Sequence, residues 1–233
     1  MPRESLVSVV ANGLLSRMVS GDLPAGTLLP SELVIGEEYE VSRLTAREAI
    51  KQLAAMNVVR TERGRGSFVN EVDRWTSIEA VARAATASGG ARAMSLQVLE
   101  MRRMIEVGAA ELAGPRVTDE DVAALRAHLD AMRAAHLSSD VDSFVEHDLA
   151  FHDVLLHASG NLLVPVMFDP VRRLLAQTRL ETSEVPEIQA HALVHHENVL
   201  VAAEARDAEA CRAAMAGHMQ QTLDDLHTYV LKD

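Results

Sequence analysis

The segment that most constrains the fold of this chain is residues 41–69, VSRLTAREAIKQLAAMNVVRTERGRGSFV. Ser42 stands where its hydroxyl oxygen can accept a hydrogen bond from a free backbone N–H in the first turn of a helix. Apolar residues then recur at helical spacing and predict a buried face, namely Ala49, Ile50, Leu53 and Ala54. A short predicted β-hairpin follows, and its tip carries Arg-Gly-Arg-Gly at 63–66. A helix joined to such a hairpin is typical of a winged helix-turn-helix.

The charges in this segment favour DNA as a partner. Arg43, Arg47 and Lys51 follow one another at intervals of four residues, so their side chains lie along one face of the predicted helix. Basic residues outnumber acidic ones between residues 43 and 65, although the whole chain has a formal net charge of −12. Glycines at the hairpin tip permit close approach to a sugar-phosphate backbone, and arginines can neutralise phosphates or enter a narrow minor groove. The sequence therefore predicts one positive surface on an acidic protein.

The residues before this segment complete the predicted domain. Apolar residues at helical spacing predict a first helix that ends at the turn-rich run 21–26. Ser31 is then predicted to cap a short helix that runs to Tyr39. We therefore expect a winged helix-turn-helix domain at 1–70, followed by a linker at 71–78.

The rest of the chain, 79–233, is predicted to be an all-α helical bundle. Periodicity from residue 76 onward is helical throughout, and aromatic residues make up only 3% of the chain. The predicted helices are 77–88, 95–113, 118–137, 140–158, 162–182 and 187–230, with a break near residues 206–207 in the last. The expected fold class is mostly α: an N-terminal winged helix-turn-helix with a small β-hairpin wing, then an all-α bundle.

All ten histidines lie in this second region. Asp148 and His152 are four residues apart on one predicted helix, so their side chains are adjacent, and their face is otherwise apolar. A charged carboxylate turned toward a core is costly unless it is compensated. His196 and His218 also lie on apolar helical faces, so these residues could converge on one divalent cation. Taken singly, each histidine is more often a hydrogen-bonded core or surface residue.

Cysteine content and hydropathy limit the other possibilities. The single cysteine, Cys211, excludes an internal disulfide framework and a cysteine-rich zinc finger. No apolar run approaches the length needed to span a bilayer, and we expect no signal peptide. We expect a cytoplasmic, nucleoid-associated protein without a membrane partner.

Three runs of the sequence resemble the GntR family of bacterial transcription regulators, GDLPAGTLLPSE, VSRLTAREAIKQLAAMNVV and GRGSF. The resemblance implies that Arg43 and Arg47 reach the major groove of an operator, with Gly66 at the minor groove. Leu33 stands where relatives usually carry an arginine, and Leu44 replaces a small or hydroxylated residue, so operator sequence and affinity are less predictable. The residues expected at the DNA are Ser42, Arg43, Thr45, Arg47, Arg63, Arg65 and Gly66.

Three further runs resemble the C-terminal effector domain (FCD) of the FadR subgroup of that family, 96–113, DLAFHDVLLHASGN and HENVLVAAEARDAEACRAAMAGHM. The resemblance implies one divalent metal ion per chain. The implied ligands are Asp148, His152, His196 and His218. His195 is the main alternative to His196, which it adjoins. Three imidazoles and a carboxylate suit zinc, nickel, manganese or iron(II), among which availability favours zinc.

The resemblance also implies a small organic acid as effector. Arg102 and Asn161 are the residues expected to bind it, because an arginine can hold a carboxylate bidentately. The alternative for Arg102 is a surface salt bridge with Glu106, one helical turn away.

Both motifs on one chain favour a ligand-responsive transcription regulator, expected to be a repressor. It would bind a pseudo-palindromic operator as a homodimer and sense the acid at the metal site. The alternative is a metal-dependent enzyme acting on a small carboxylate, since open coordination positions can activate water. The sequence offers no evident general base, nucleophile motif or phosphate loop for that alternative. A third possibility is that the metal is purely structural or is itself the signal.

Overall fold

The computed structural model describes residues 5–231, with the side chains of 91, 172–173, 176–178 and 181 excepted. The chain forms two compact units, Met1–Met94 and Ser95–Asp233. The structure therefore groups residues 79–94 with the N-terminal unit, whereas their helical periodicity predicts that they belong to the bundle.

The N-terminal unit contains a helix-turn-helix followed by a hairpin. Its elements are α1 (Leu6–Val19), α2 (Glu32–Glu38), α3 (Arg43–Ala55), β1 (Val59–Glu62), β2 (Gly66–Val69) and a 3₁₀ turn (Val72–Arg74). Ser31 and Ser42 cap α2 and α3, and their hydroxyl oxygens accept from the third backbone N–H beyond, at 3.3 and 3.1 Å. The predicted winged helix-turn-helix is confirmed.

The wing is anchored by a third segment of chain. β1 and β2 pair antiparallel, with Val59 opposite Val69 and Glu62 opposite Gly66. Leu28 forms an isolated bridge with Phe68 on the other side of β2. The turn-rich run 21–26 predicts only the end of a helix, so the pairing of Leu28 is not predictable from it.

The core of the N-terminal unit extends into the predicted linker. Trp75 is 7% exposed and packs with buried residues of α1, α2 and α3. Its indole Nε1 donates to the carbonyl oxygen of Asn70 at 3.1 Å. The first part of segment 71–78 is therefore folded against the N-terminal core.

From residue 78 onward the described part of the chain consists of helices joined by short turns, and the first of these helices spans the boundary between the two units at residues 94–95. The helices are α4 (Ile78–Ala113), α5 (Asp119–Ser138), α6 (Val141–Ala158), α7 (Leu163–Ser183), α8 (Pro186–Glu204) and α9 (Ala208–Asp225), with a π turn at Leu226–Val230. α4 loses helical geometry at Gly90, whose φ is 78°, where the sequence predicted a break between two helices. The predicted bundle class is confirmed.

Local signals set the helix ends. Thr118 and Asp121 form a capping box at the start of α5, in which each side chain accepts from the other's backbone N–H. Arg206 takes a left-handed conformation with φ of 53° and Asp207 caps α9, which separates α8 from α9.

α5 packs against α6 and α8, and α8 packs against α9, so these helices surround one core. None of the helices in residues 5–231 combines the length and apolar character needed to cross a bilayer.

We expect Leu14→Ala to lower the free energy of unfolding of the N-terminal unit by about 2–5 kcal/mol, because it leaves a cavity in the core. Leu14 is fully buried in α1. A urea titration followed by the fluorescence of Trp75, the single tryptophan of the chain, measures this change. The matched control is Leu6→Ala on the same helix, where the side chain is 63% exposed. Equal shifts in the two variants would contradict this description of the core.

Candidate functional sites

A groove in the N-terminal unit lies between α3 and the wing. Arg43, Arg47 and Lys51 line it from α3, and Arg65 and Gly66 line it from the wing. The structure thus brings together four of the residues predicted to contact DNA. The remaining three lie outside the lining: Ser42 and Thr45 at the start of α3, and Arg63 at the exposed hairpin tip.

The arginines of this groove are available to an anionic partner. Arg47 is exposed and makes no ion pair within the described part of the chain. Arg43 donates to Glu32 at 2.8 Å, but its side chain is 75% exposed. Such exposed pairs contribute roughly 0–1 kcal/mol, so a phosphate can replace the carboxylate. Arg65 is paired with Glu62 in the same way, and its side chain is 71% exposed.

Gly66 is required by the geometry of the wing. Its φ is +105°, and a Cβ at this position would lie 2.7 Å from Cδ1 of Leu28. Leu33, which replaces an expected arginine, lines the groove and is 60% exposed. This part of the groove is therefore apolar and offers no charge to a phosphate.

Three buried histidines meet in the C-terminal unit. His152 comes from α6, His196 from α8 and His218 from α9, and one ring nitrogen of each lies within 4.8 Å of the other two. His195, the alternative considered from the sequence, is only half-buried and lies outside this group. Its ring centroid is 6.2 Å from that of His218.

Two of these histidines have a free ring nitrogen in the centre of the cluster. Nδ1 of His196 donates to the carbonyl oxygen of Ala192 at 2.7 Å, and Nδ1 of His218 is 3.1 Å from Oε1 of Gln221. Their Nε2 atoms are buried and have no hydrogen-bond partner. An unpaired buried lone pair is costly, whereas a neutral imidazole nitrogen is a common metal ligand. Ligating histidines usually donate through their other nitrogen in this way.

Burial also favours the neutral form of His152 and His218. Burial, followed by the charges of neighbouring histidines and arginines, holds the pKa of His218 well below its ordinary value. Burial lowers the pKa of His152 to about 4, although Glu106 opposes the shift. Neutral imidazole is the form that binds a metal, so these groups need not lose a proton at neutral pH.

Asp148 borders the three histidines but is not part of their group. It is fully buried, and its Oδ1 accepts from Nη1 of Arg179. Burial opposes its ionisation, but Arg179 and the nearby histidines hold the pKa of Asp148 below its ordinary range. Oδ1 lies 3.3 Å from Nε2 of His196, and Oδ2 has no partner. Because a carboxylate oxygen and a ring lone pair repel each other, a cation between Asp148 and His196 would be stabilising, so these two residues fit a metal. Nε2 of His152 lies 3.4 Å from Nη2 of Arg102 and 3.3 Å from Nη2 of Arg179, and a metal bound there would displace these donors.

Arg102 is paired with Glu106, as the alternative interpretation of the sequence proposed, but the pair is buried rather than on the surface. Nε of Arg102 donates to Oε1 of Glu106 at 2.6 Å, and Nη2 donates to Oε2 at 3.3 Å. This edge of the guanidinium therefore already holds a carboxylate bidentately. Oε2 of Glu106 is also 2.6 Å from Nδ1 of His152, although the contact lacks hydrogen-bond geometry.

A cavity opens beside this cluster. Arg102, Arg179 and His218 contribute to its lining, together with apolar residues that include Leu99 and Phe144. Guanidinium groups at one side and a mixture of apolar and polar side chains elsewhere suit a small carboxylate with a carbon skeleton.

The structure places Asn161 away from this cavity. Asn161 is exposed, and its Oδ1 accepts from the backbone N–H of Leu163 at 3.0 Å at the start of α7. Its side chain supports the end of a helix and does not contribute to the cavity lining.

Arg179 is the residue that sequence reasoning missed. Nε of this buried arginine has no hydrogen-bond partner, and burial together with Arg102 lowers its pKa to about 10, so it stays charged at neutral pH. The run around it contains several charged residues and looks like a solvated face. Helical spacing could have predicted its burial, because Arg179 continues the buried stripe formed by Phe168, Val171 and Leu175.

Two family profiles match the chain. The profile described as "Bacterial regulatory proteins, gntR family" covers residues 6–69, and the profile described as "FCD domain" covers residues 97–221. The first match contains the winged helix-turn-helix, and the second contains the histidine cluster.

Individual relatives agree with these matches. The HTH-type transcriptional regulator LutR of Bacillus subtilis is 28% identical over 216 residues, which cover 90% of this chain and 96% of that protein. The putative L-lactate dehydrogenase operon regulatory protein of Escherichia coli is 30% identical over 224 residues, which cover 94% of this chain and 85% of that protein. The solved structure of Lar, which controls expression of the Listeria monocytogenes agr system, matches with a TM-score of 0.65 at 16% identity, covering 98% of this chain and 100% of that chain. This last similarity is one of fold alone.

We expect Glu106→Ala to lower the free energy of unfolding by about 3–5 kcal/mol, because it leaves Arg102 as an uncompensated buried charge. Urea titration followed by circular dichroism measures this change. The double variant Arg102→Met, Glu106→Leu should recover most of the loss, since it removes both charges together. The control Glu209→Ala breaks an exposed pair with Arg212 and should cause no measurable change. Equal stability of Glu106→Ala and Glu209→Ala would contradict the importance of the buried pair.

Proposed function

The chain belongs to the GntR family of bacterial transcription regulators and carries an FCD domain, and on this basis we propose that it is a metal-dependent sensor of a small organic acid. Family membership places it among regulators, which removes the metal-dependent enzyme considered from the sequence. One observation supports the proposal above all: His152, His196 and His218 converge, with Asp148 at their border, beside a cavity to whose lining Arg102 and Arg179 contribute.

We assign these three histidines and Asp148 as the ligands of one divalent ion per chain, with zinc favoured. When bound, the ion would supply positive charge and an open coordination position for an oxygen of the effector. Within the cluster, the charges of Arg102 and Arg179 are balanced by Glu106 and Asp148. A divalent ion would therefore leave an excess of positive charge, which favours an anionic effector.

Arg179 and Arg102 are proposed to hold the carboxylate of that effector. The unpartnered Nε of Arg179 is the most available donor, because the Nε edge of Arg102 is occupied by Glu106. Asn161 is left out of this assignment because it is exposed at the start of α7. The name of the E. coli relative refers to an L-lactate dehydrogenase operon, so L-lactate is the first acid to test.

We further propose that the protein acts as a homodimeric repressor on the bacterial nucleoid, where two winged-helix domains read a pseudo-palindromic operator. An exposed apolar stripe at the start of α7 is the proposed dimer surface, and a two-fold dimer would bury it on both copies. Its residues are Leu162, Leu163, Val166 and Met167, which are 61–86% exposed. Light scattering should give twice the chain mass of 25.3 kDa, and a monomer at operator-binding concentrations would exclude this arrangement.

The acid would act by a population shift. It must bind more tightly to one arrangement of the DNA-binding domains than to the other, since equal affinity shifts nothing. Titrating operator affinity against metal, with and without L-lactate, separates a sensor from a protein whose metal is structural or is itself the signal.

We expect Arg47→Ala to weaken operator binding by about 1–3 kcal/mol, because Arg47 is free to contact a base edge from α3. Fluorescence anisotropy with the DNA upstream of the protein's own gene and with random DNA measures this loss. Arg212→Ala removes the same charge from the other unit and is the control. Equal loss on both DNAs would reassign Arg47 to a phosphate contact. A wild-type protein without any sequence-selective complex, at every metal loading, would refute the regulatory proposal.

We expect His196→Ala to reduce the metal content below one ion per chain, because it removes a fully buried proposed ligand. Elemental analysis after zinc loading measures this. The control His157→Ala removes an exposed histidine of α6 and should retain full metal content. Fluorescence of Trp75 should show that the N-terminal unit of His196→Ala stays folded. Unchanged stoichiometry in His196→Ala would show that the assigned ligand set is incorrect.

A further inference from the structure

A chain of side-chain contacts leads outward from His218. Nδ1 of His218 is 3.1 Å from Oε1 of Gln221, and Nε2 of Gln221 donates to Oδ2 of Asp225. Oδ1 of Asp225 is 2.9 Å from Nδ1 of His191, which comes from α8 and whose side chain is 50% exposed. His218, Gln221 and Asp225 lie on one face of α9 and its C-terminal end, because they are three and four residues apart.

The donors and acceptors of these side chains allow only one orientation of the hydrogen bonds between them. An ionised carboxylate can only accept, so Gln221 must turn its NH₂ group toward Asp225. Its carbonyl oxygen then faces His218 and can only accept as well. Nδ1 of His218 must therefore carry the proton, and the lone pair of Nε2 points into the histidine cluster. An amide rotated by half a turn would set two acceptors, Oε1 of Gln221 and Oδ2 of Asp225, against each other.

We propose that Asp225 and Gln221 are positioning residues that hold His218 in the tautomer able to bind a metal. The metal itself rests on the proposed function above, but the tautomer does not depend on it. His196 reaches the same tautomer differently, because its Nδ1 donates to the backbone carbonyl of Ala192. His196 is thus oriented by the backbone of its own helix, whereas the orientation of His218 depends on the side chains of Gln221 and Asp225.

Asp225→Asn should allow His218 to adopt either tautomer. An asparagine amide can donate to the carbonyl oxygen of Gln221 as well as accept from its NH₂ group, so Gln221 can rotate. His218 can then carry its proton on Nε2, where it blocks a metal. Loss of such an orienting partner typically weakens metal binding by roughly 10–100-fold.

The direct test is the tautomer of His218 in metal-free protein labelled with ¹⁵N-histidine. Long-range ¹H–¹⁵N correlation spectra distinguish a proton on Nδ1 from one on Nε2. Wild type should carry the His218 proton on Nδ1, and Asp225→Asn should show a mixture or the other tautomer. His196 is the internal reference, since its partner is a backbone carbonyl oxygen that Asp225→Asn does not alter. The same His218 tautomer in Asp225→Asn as in wild type would overturn the proposal.

The matched control is Asp224→Asn. It removes the same charge one residue away, but Asp224 is exposed and accepts from Gln220 instead. His218 should keep its Nδ1 proton in this variant, and a change equal to that in Asp225→Asn would reduce the effect to net charge and overturn the proposal. If Asp225→Asn does not fold by circular dichroism, Gln221→Met removes both contacts at similar volume and should release the tautomer in the same way. A fixed Nδ1 proton in Gln221→Met would then refute the positioning role.

A zinc titration against a chelating dye completes the experiment. Asp225→Asn should bind zinc roughly 10–100-fold more weakly than wild type, and Asp224→Asn should match wild type. If wild type binds no zinc, the proposed function fails, while the tautomer spectra still decide the role of Asp225 and Gln221. Unchanged zinc affinity in Asp225→Asn would refute their contribution to the metal site.

Discussion

Compensation of charge inside the helical bundle is the constraint on which the proposed sensing site depends. Arg102 pairs with Glu106 within one helix, and Arg179 of α7 pairs with Asp148 of α6. All four side chains are at least nine-tenths buried, so removal of any one would leave an uncompensated charge in a region of low dielectric. These pairs allow ionised groups to line a cavity whose other lining residues are a mixture of apolar and polar side chains.

The histidines differ from these ion pairs, because they bring buried ring nitrogens without hydrogen-bond partners into the bundle. Nε2 of His196 and of His218 face the centre of the cluster, and Oδ2 of Asp148 has no donor. Buried polar atoms are satisfied in most folded proteins, and exceptions tend to mark a functional site. A cation bound by these atoms would resolve the unsatisfied lone pairs. The same positive charge would make the neighbouring cavity attractive to a carboxylate.

Rules that act over short stretches of sequence could predict much of this molecule. Hydroxyl caps at Ser31 and Ser42, apolar residues at helical spacing and the Gly-rich hairpin tip together predict the winged helix-turn-helix. Helical spacing placed His152, His196 and His218 on apolar faces, and the structure brings these faces together. The residues that could not be predicted depend on long-range pairing. Leu28 pairs with Phe68 across a stretch of intervening helices, and Arg179 acquires its role only when α7 packs beside α6. Asn161 is expected to bind the effector because it lies in a sequence motif, but its side chain does not line the cavity. Nearness to a motif in the sequence therefore does not establish nearness to the site in space.

X-ray absorption spectroscopy of the zinc-loaded protein is the most direct measurement of the central claim, that three histidines and a carboxylate hold one ion in the bundle. The account predicts a shell of nitrogen and oxygen neighbours at about 2.0–2.2 Å, with the outer-shell scattering of three imidazoles. A shell containing sulfur from Cys211, or a shell without imidazole scattering, would contradict it.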